Sequence, residues 1–228
     1  MDAGHGTRQV VVLNPNSSTD VTASMDACLA HQRTLTAHHI TCHTLAGAPI
    51  GIETDADVNQ VGPMVEGFVR ATPADAYVIA CFSDPGVAGL RRAGMPLVFG
   101  IAEAAYVGAL LHGDRFGVIS LGASSVARHR RMIEGFGLLS RLAGDRAVDM
   151  SVAEANDFDA AHAAIARTGA ALIEDGAQVL ILGCAGMGNQ RAALQADLGC
   201  VVLDPVQAAV SAAVTALDMG YGAETLHV

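Results

Sequence analysis

The chain has 228 residues, 51% of them apolar and 16% charged, with a net charge of −10 at pH 7. Such a chain buries a core of its own and is not a disordered segment. Its acidic balance excludes the phosphate-neutralising surface of a nucleic-acid partner, and its 13 basic residues are all Arg, which excludes the Schiff-base lysine of pyridoxal-phosphate enzymes and the lysine of a Walker A loop.

In chain order, residues 1–9 read as a loose N-terminal tail. Val10-Val11-Val12-Leu13 is the first continuous apolar run and predicts a strand covered on both faces. Asn14-Pro15-Asn16-Ser17-Ser18 follows as a polar turn that opens a helix near Thr19. Tyr77-Val78-Ile79-Ala80 predicts a second strand, ending at Cys81. Phe82-Ser83-Asp84-Pro85-Gly86 then reads as a helix start, with Ser83 or Asp84 as the cap and Pro85 in the first turn. Leu97-Val98-Phe99 gives a third strand, and a helix runs from Glu103.

The order then repeats. Phe116-Gly117-Val118-Ile119 predicts a strand leading into Leu121-Gly122-Ala123-Ser124-Ser125 and a helix. Asp157 to Asp175 has helical spacing, Val179-Leu180-Ile181-Leu182 predicts a strand ending at Cys184, and a helix is expected after Ala185-Gly186-Met187-Gly188. Val201-Val202-Leu203 and a helix from Val206 to Leu217 close the chain. Asp75-Ala76-Tyr77-Val78-Ile79-Ala80-Cys81 aligns without a gap on Gln178-Val179-Leu180-Ile181-Leu182-Gly183-Cys184. The expected fold is therefore α/β, with two similar doubly wound parallel-sheet halves related by a pseudo-twofold. The halves are residues 10–113, whose last helix is free to cross over, and residues 114–228.

The repeat points to chemistry. Open parallel sheets bind ligands beyond the carboxyl ends of their strands, where Cys81 and Cys184 both fall, so a pseudo-twofold sets two thiols across one cleft. Free backbone N–H groups beside them are expected to lower a thiol toward neutrality and to hold a developing oxyanion. Two bases on opposite faces of a carbon acid next to a carbonyl invert that carbon without a cofactor, one thiolate removing the proton and the other thiol delivering one. Asn14, at the end of the first strand, is the candidate for holding a substrate carbonyl.

The remaining features read as structural. Cys28 and Cys200 lie in apolar settings. Cys42 and His43, with His38 and His39, fit no metal-ligand spacing, so no metal is expected. Arg91-Arg92 and Arg128-His129-Arg130-Arg131 read as solvated helix faces. The five cysteines are odd in number and form no CxxC, and the apolar runs are broken long before ~18 residues. A reduced, cytoplasmic enzyme with no membrane span is expected.

The chain resembles the hydantoin and allantoin racemases of the aspartate/glutamate racemase superfamily. The resemblance is carried by Leu13-Asn14-Pro15-Asn16-Ser17-Ser18, Ala80-Cys81-Phe82-Ser83-Asp84-Pro85-Gly86 and Leu182-Gly183-Cys184-Ala185-Gly186-Met187. Ala48-Pro49-Ile50-Gly51-Ile52-Glu53 and Gly100-Ile101-Ala102-Glu103-Ala104-Ala105 support it. It implies two α/β domains around one cleft, no cofactor, a small cyclic ureide as substrate, and a homo-oligomer. It also implies that Cys81 and Cys184 are the two bases, with Asn14, Phe82, Ser83, Ala185, Gly186 and Met187 around the ring. Amino-acid racemases and maleate isomerases of the superfamily use the same cysteine pair and are the alternative. A strongly electropositive cleft favours that alternative, and an apolar, neutral one favours the ring.

Overall fold

The computed structural model describes residues 6–95 and 97–222. Residues 1–5 of the tail lie outside the described residues, and the first strand begins within the expected tail, at Gln9. Its N–H donates to the Asp75 carboxylate at 2.7 Å, which ties the chain down there.

Among the described residues, eight strands, all parallel, form two four-stranded sheets. The first sheet has β1 (Gln9–Asn14), β2 (His39–Thr44), β3 (Ala76–Ile79) and β4 (Val98–Gly100), in the order β2-β1-β3-β4. The second has β5 (Phe116–Ser120), β6 (Leu142–Ala147), β7 (Val179–Leu182) and β8 (Val201–Leu203), in the order β6-β5-β7-β8. The two orders are the same, so the predicted repeat is a repeat of topology. The four inner strands all read as continuous apolar runs, as expected of strands buried on both faces, and the edges β4 and β8 do so too.

Helices complete each half. The first has α1 (Thr19–Cys28), α2 (Ala30–Arg33), α3 (Asp55–Ala71), α4 (Val87–Arg92) and α5 (Ile101–Ala109). The second has α6 (Ala123–Gly135), α7 (Val152–Asn156), α8 (Phe158–Glu174), α9 (Arg191–Leu198) and α10 (Pro205–Asp218). Thr54 caps α3 in a reciprocal box with Asp57. Asp204 caps α10, with Pro205 in the first turn.

The last helices tie the halves together. Helix α10 packs on β1, β3 and β4 of the first sheet, and α5 packs on β7 of the second. Both run along the seam, and α5 also packs on α10. One hydrophobic core consequently includes Val10, Val12 and Val78 as well as Val118, Leu180 and Ile181. A second core of Val11, Leu13, Val61, Val65 and Ile79 covers the other face of the first sheet under α3 and α4. Among the described residues, no helix is long and apolar enough to cross a membrane.

Candidate active site

The two cysteines are set by the same backbone device. Past the end of the β1–β3 ladder, Ala80 N–H donates to Leu13 O at 2.8 Å, and past β5–β7, Gly183 N–H donates to Ile119 O at 2.8 Å. The next residue is Cys81 in one half and Cys184 in the other. Gly183 is required there, since a Cβ would stand 2.5 Å from Ile119 O.

Both cysteines line one cleft of about 420 Å³, measured out to its open mouth. Its walls also carry Ile52, Phe82, Leu121, Val152, Ala185 and Gly186. Of the residues expected around a ring, Phe82, Ser83, Ala185 and Gly186 are therefore in place. Asn14 and Met187 are not on the wall. Asn14 is fully buried, and its Nδ2 donates to Asn16 Oδ1, Ser18 O and Thr22 Oγ1. It builds the turn, and the turn presents Asn16 to the cleft instead. Asn16 Oδ1 accepts from Asn14 Nδ2 and Ser18 N–H, which leaves its Nδ2 as a donor. Met187 is fully buried, and its backbone N–H donates to Cys184 O at 3.1 Å.

The Ser83 amide beside Cys81, and the Gly186 and Met187 amides beside Cys184, favour the thiolates. They do not prevail. Burial pushes the Cys81 thiol up to about 12, opposed by the Ser83 amide and reinforced by charge on Cys184. Burial pushes Cys184 up to about 11, against the Gly186 and Met187 amides and with Glu53 adding to the rise. The expectation of thiols lowered toward neutrality is thus corrected: desolvation of a charged sulfur outweighs the amide dipoles. The expected helix starts also differ. The turn after Cys81 runs to Gly86, at φ 78°, before α4 begins at Val87, and Cys184 is followed by a 3₁₀ segment, Ala185–Gln190, before α9. Asp84 caps a helix, but it is α5 rather than its own, accepting from Ala102 N–H at 2.9 Å and Glu103 N–H at 3.0 Å.

Helix α6 contributes what a charge-run reading misses. Arg128 and His129 are buried against the cleft, whereas Arg130 and Arg131 are exposed. Arg128 Nε donates to Ser83 Oγ at 2.8 Å and its Nη1 to Asp55 Oδ1 at 2.6 Å, so the second half grips the first beside Cys81. For His129 the signal is the spacing of Ser125, His129 and Ile133, four residues apart along one face of α6. The other tie is Glu53, whose Oε1 accepts from Val152 N–H at 2.9 Å and whose carbonyl accepts from Ser124. The polar groups weighed as a metal cluster are engaged elsewhere: His38 bonds Asp218 and Arg8 N–H, and Cys42 Sγ accepts from Arg33.

The model of the family described as Asp/Glu/Hydantoin racemase matches residues 10–213. The protein is accordingly an isomerase of racemase type. Its chain belongs to the Asp/Glu/hydantoin racemase family. It is 34% identical to a hydantoin racemase of Rhizobium meliloti, covering 95% of this chain and 91% of that one. It is 33% identical to a hydantoin racemase of Paenarthrobacter aurescens, covering 93% and 92%. Among solved structures, allantoin racemase from Pseudomonas fluorescens superposes with a TM-score of 0.87 at 27% identity, over 96% of this chain and 94% of that chain.

Proposed function

We propose that the protein is a cofactor-independent racemase that inverts C5 of 5-substituted hydantoins, allantoin included, with Cys81 and Cys184 as the two bases. The observation that carries this is the equivalence of the two thiols, each two residues beyond the matching inner strand of its half, on the wall of one cleft. Residues 10–113 and 114–228 are the two halves of this reading, each supplying one thiol. One cysteine, as thiolate, takes the C5 proton; the electron pair moves into the C4 carbonyl as an enolate. The other cysteine, as thiol, delivers its proton to the opposite face. The enantiomer is released with the protonation states of the pair exchanged, ready for the reverse direction.

Asn16 Nδ2 is a donor for a ring carbonyl. The cleft's charge favours a neutral ring over a dicarboxylate: its one guanidinium, Arg128, is already bonded to Ser83 and to Asp55. The resemblance to the family also supports a homo-oligomer, and the free cysteines support a reduced, cytoplasmic setting.

The test is optical rotation and proton NMR in D₂O, with each enantiomer of allantoin and of 5-benzylhydantoin. Rotation is expected to decay to zero as the C5 proton is replaced by deuterium. Rotation that persists with both rings contradicts the reading and turns the test to amino acids and maleate.

A further inference from the structure

Behind the cleft wall lies a buried cluster that the proton transfer does not use. His129 Nδ1 is 2.9 Å from Ser120 Oγ and 3.2 Å from Asp145 Oδ2, and Ser120 Oγ also donates to Asp145 Oδ1. All three side chains are buried, with Asp145 and His129 at 3% and 1% side-chain exposure. A carboxylate only accepts, and the single hydroxyl proton of Ser120 is committed to it. The proton shared at Nδ1 therefore belongs to the imidazole, and in the neutral ring Nε2 is left with its lone pair.

Nε2 has no bonding partner among the described residues. It is also not sealed in. The buried side-chain nitrogens and oxygens that lack a partner include the Tyr106 hydroxyl and Asp204 Oδ2, but not His129 Nε2. His129 itself lines the cleft, edge-on to Phe82 with ring centroids 4.9 Å apart. A tautomer fixed from behind thus presents one acceptor to whatever enters.

We infer that His129 Nε2 accepts a hydrogen bond from a ring N–H of the bound cyclic ureide, and so selects rings that carry a free N–H; this rests on the hydantoin reading. The residue binds and orients. It moves no proton at C5. Asp145 and Ser120 act through it as positioning residues, because they decide that Nε2 accepts rather than donates.

The test compares racemisation of 5-benzylhydantoin with that of its N1-methyl and N3-methyl derivatives. For wild type, one of the two methyl derivatives is expected to show KM raised about tenfold or more, the size of one unsatisfied buried hydrogen bond. In His129→Asn, the side-chain amide still donates to Asp145 from near the Nδ1 position, while the Nε2 acceptor is gone. KM for the parent ring is then expected to rise about tenfold with kcat little changed, and the discrimination against methylation is lost. Asp145→Asn keeps the imidazole but offers it an amide donor, which moves the ring proton to Nε2; the same loss of N–H preference is expected. Should His129→Asn fold poorly, Asp145→Asn alone decides. A wild type that accepts both methyl derivatives as readily as the parent overturns the inference. So does either variant keeping wild-type KM and wild-type discrimination. In those cases the hydantoin reading stands. A wild type that racemises no hydantoin brings down both.

Discussion

The two halves reach one arrangement by attaching the key side chain to opposite partners. In the first half Asp84 stands in the turn after Cys81, at φ 47°, and its carboxylate crosses to the first N–H groups of α5. The residue it faces is Gly100, where a Cβ would sit 2.1 Å from Asp84 Cγ. In the second half the carboxylate belongs to Asp204, which occupies the place of Gly100 and caps its own helix through Val206 and Gln207 N–H. The residue it faces is Gly188, in the segment after Cys184, where a Cβ would sit 2.7 Å from Asp204 Oδ2. Each half thus places one buried carboxylate and one glycine between a cysteine turn and a helix start, with the two exchanged. The pseudo-twofold preserves charge and space while the residue that supplies them changes sides. Residue-by-residue alignment of the halves does not reveal it.

The comparison is broken most severely by filling the glycine. Gly100→Ala drives a Cβ into a carboxyl that already makes two bonds, and Gly188→Ala does the same from the other side. Each is expected to cost ~2–3 kcal/mol as overpacking, read as a shift in urea midpoint. A loss below ~0.5 kcal/mol in both would mean that the contacts relax freely.

Exchanging the pair is the sharper test. Asp84→Gly alone removes the cap of α5 and is expected to cost ~1–2 kcal/mol. Combined with Gly100→Asp, which copies the arrangement of the second half, it is expected to recover most of that loss in thermal melts. Non-recovery would show that the halves are not interchangeable there. A smaller difference separates the two carboxyls. Asp84 accepts on both oxygens, whereas Asp204 accepts on Oδ1 alone and its Oδ2 is orphaned. Asp84→Asn should therefore destabilise more than Asp204→Asn.

A further effect is one of pH. Burial, against their amide bonds, pushes the Asp84 carboxyl up to about 7 and that of Asp204 up to about 6. Unfolded, both release their protons near 3.8. The folded protein binds more protons across that window, so these sites favour the fold increasingly as pH falls from about 8 toward 4. The double variant Asp84→Asn/Asp204→Asn should flatten that slope, measured as urea stability against pH. An unchanged slope would assign it to other groups.

Most of the frame was legible because it is apolar. The six inner and β8-side strands announce themselves as unbroken runs such as Val179-Leu180-Ile181-Leu182. The two unseen strands, β2 (HITCHT) and β6 (LAGDRA), are edges with one flank free. The other two edges, β4 and β8, keep apolar runs, whereas β2 and β6 are polar and half-exposed along their length. The cysteines were legible through the repeat. The wall around them was not, for three physical reasons. Asn14 and Asn16 share a turn whose hydrogen bonds decide which one faces out. Arg128 and His129 sit inside a charge run whose helical phase, not its composition, buries half of it. And desolvation of the thiols outweighs the amides beside them.

The central claim is that one thiol serves each face of the carbon acid. The direct measurement is proton NMR in D₂O on Cys81→Ser and Cys184→Ser, each given the two enantiomers of 5-benzylhydantoin separately. The account predicts that neither variant racemises, that each still exchanges the C5 proton of one enantiomer, and that the enantiomer is opposite in the two variants. Racemisation surviving in either variant, or both exchanging the same enantiomer, would contradict it.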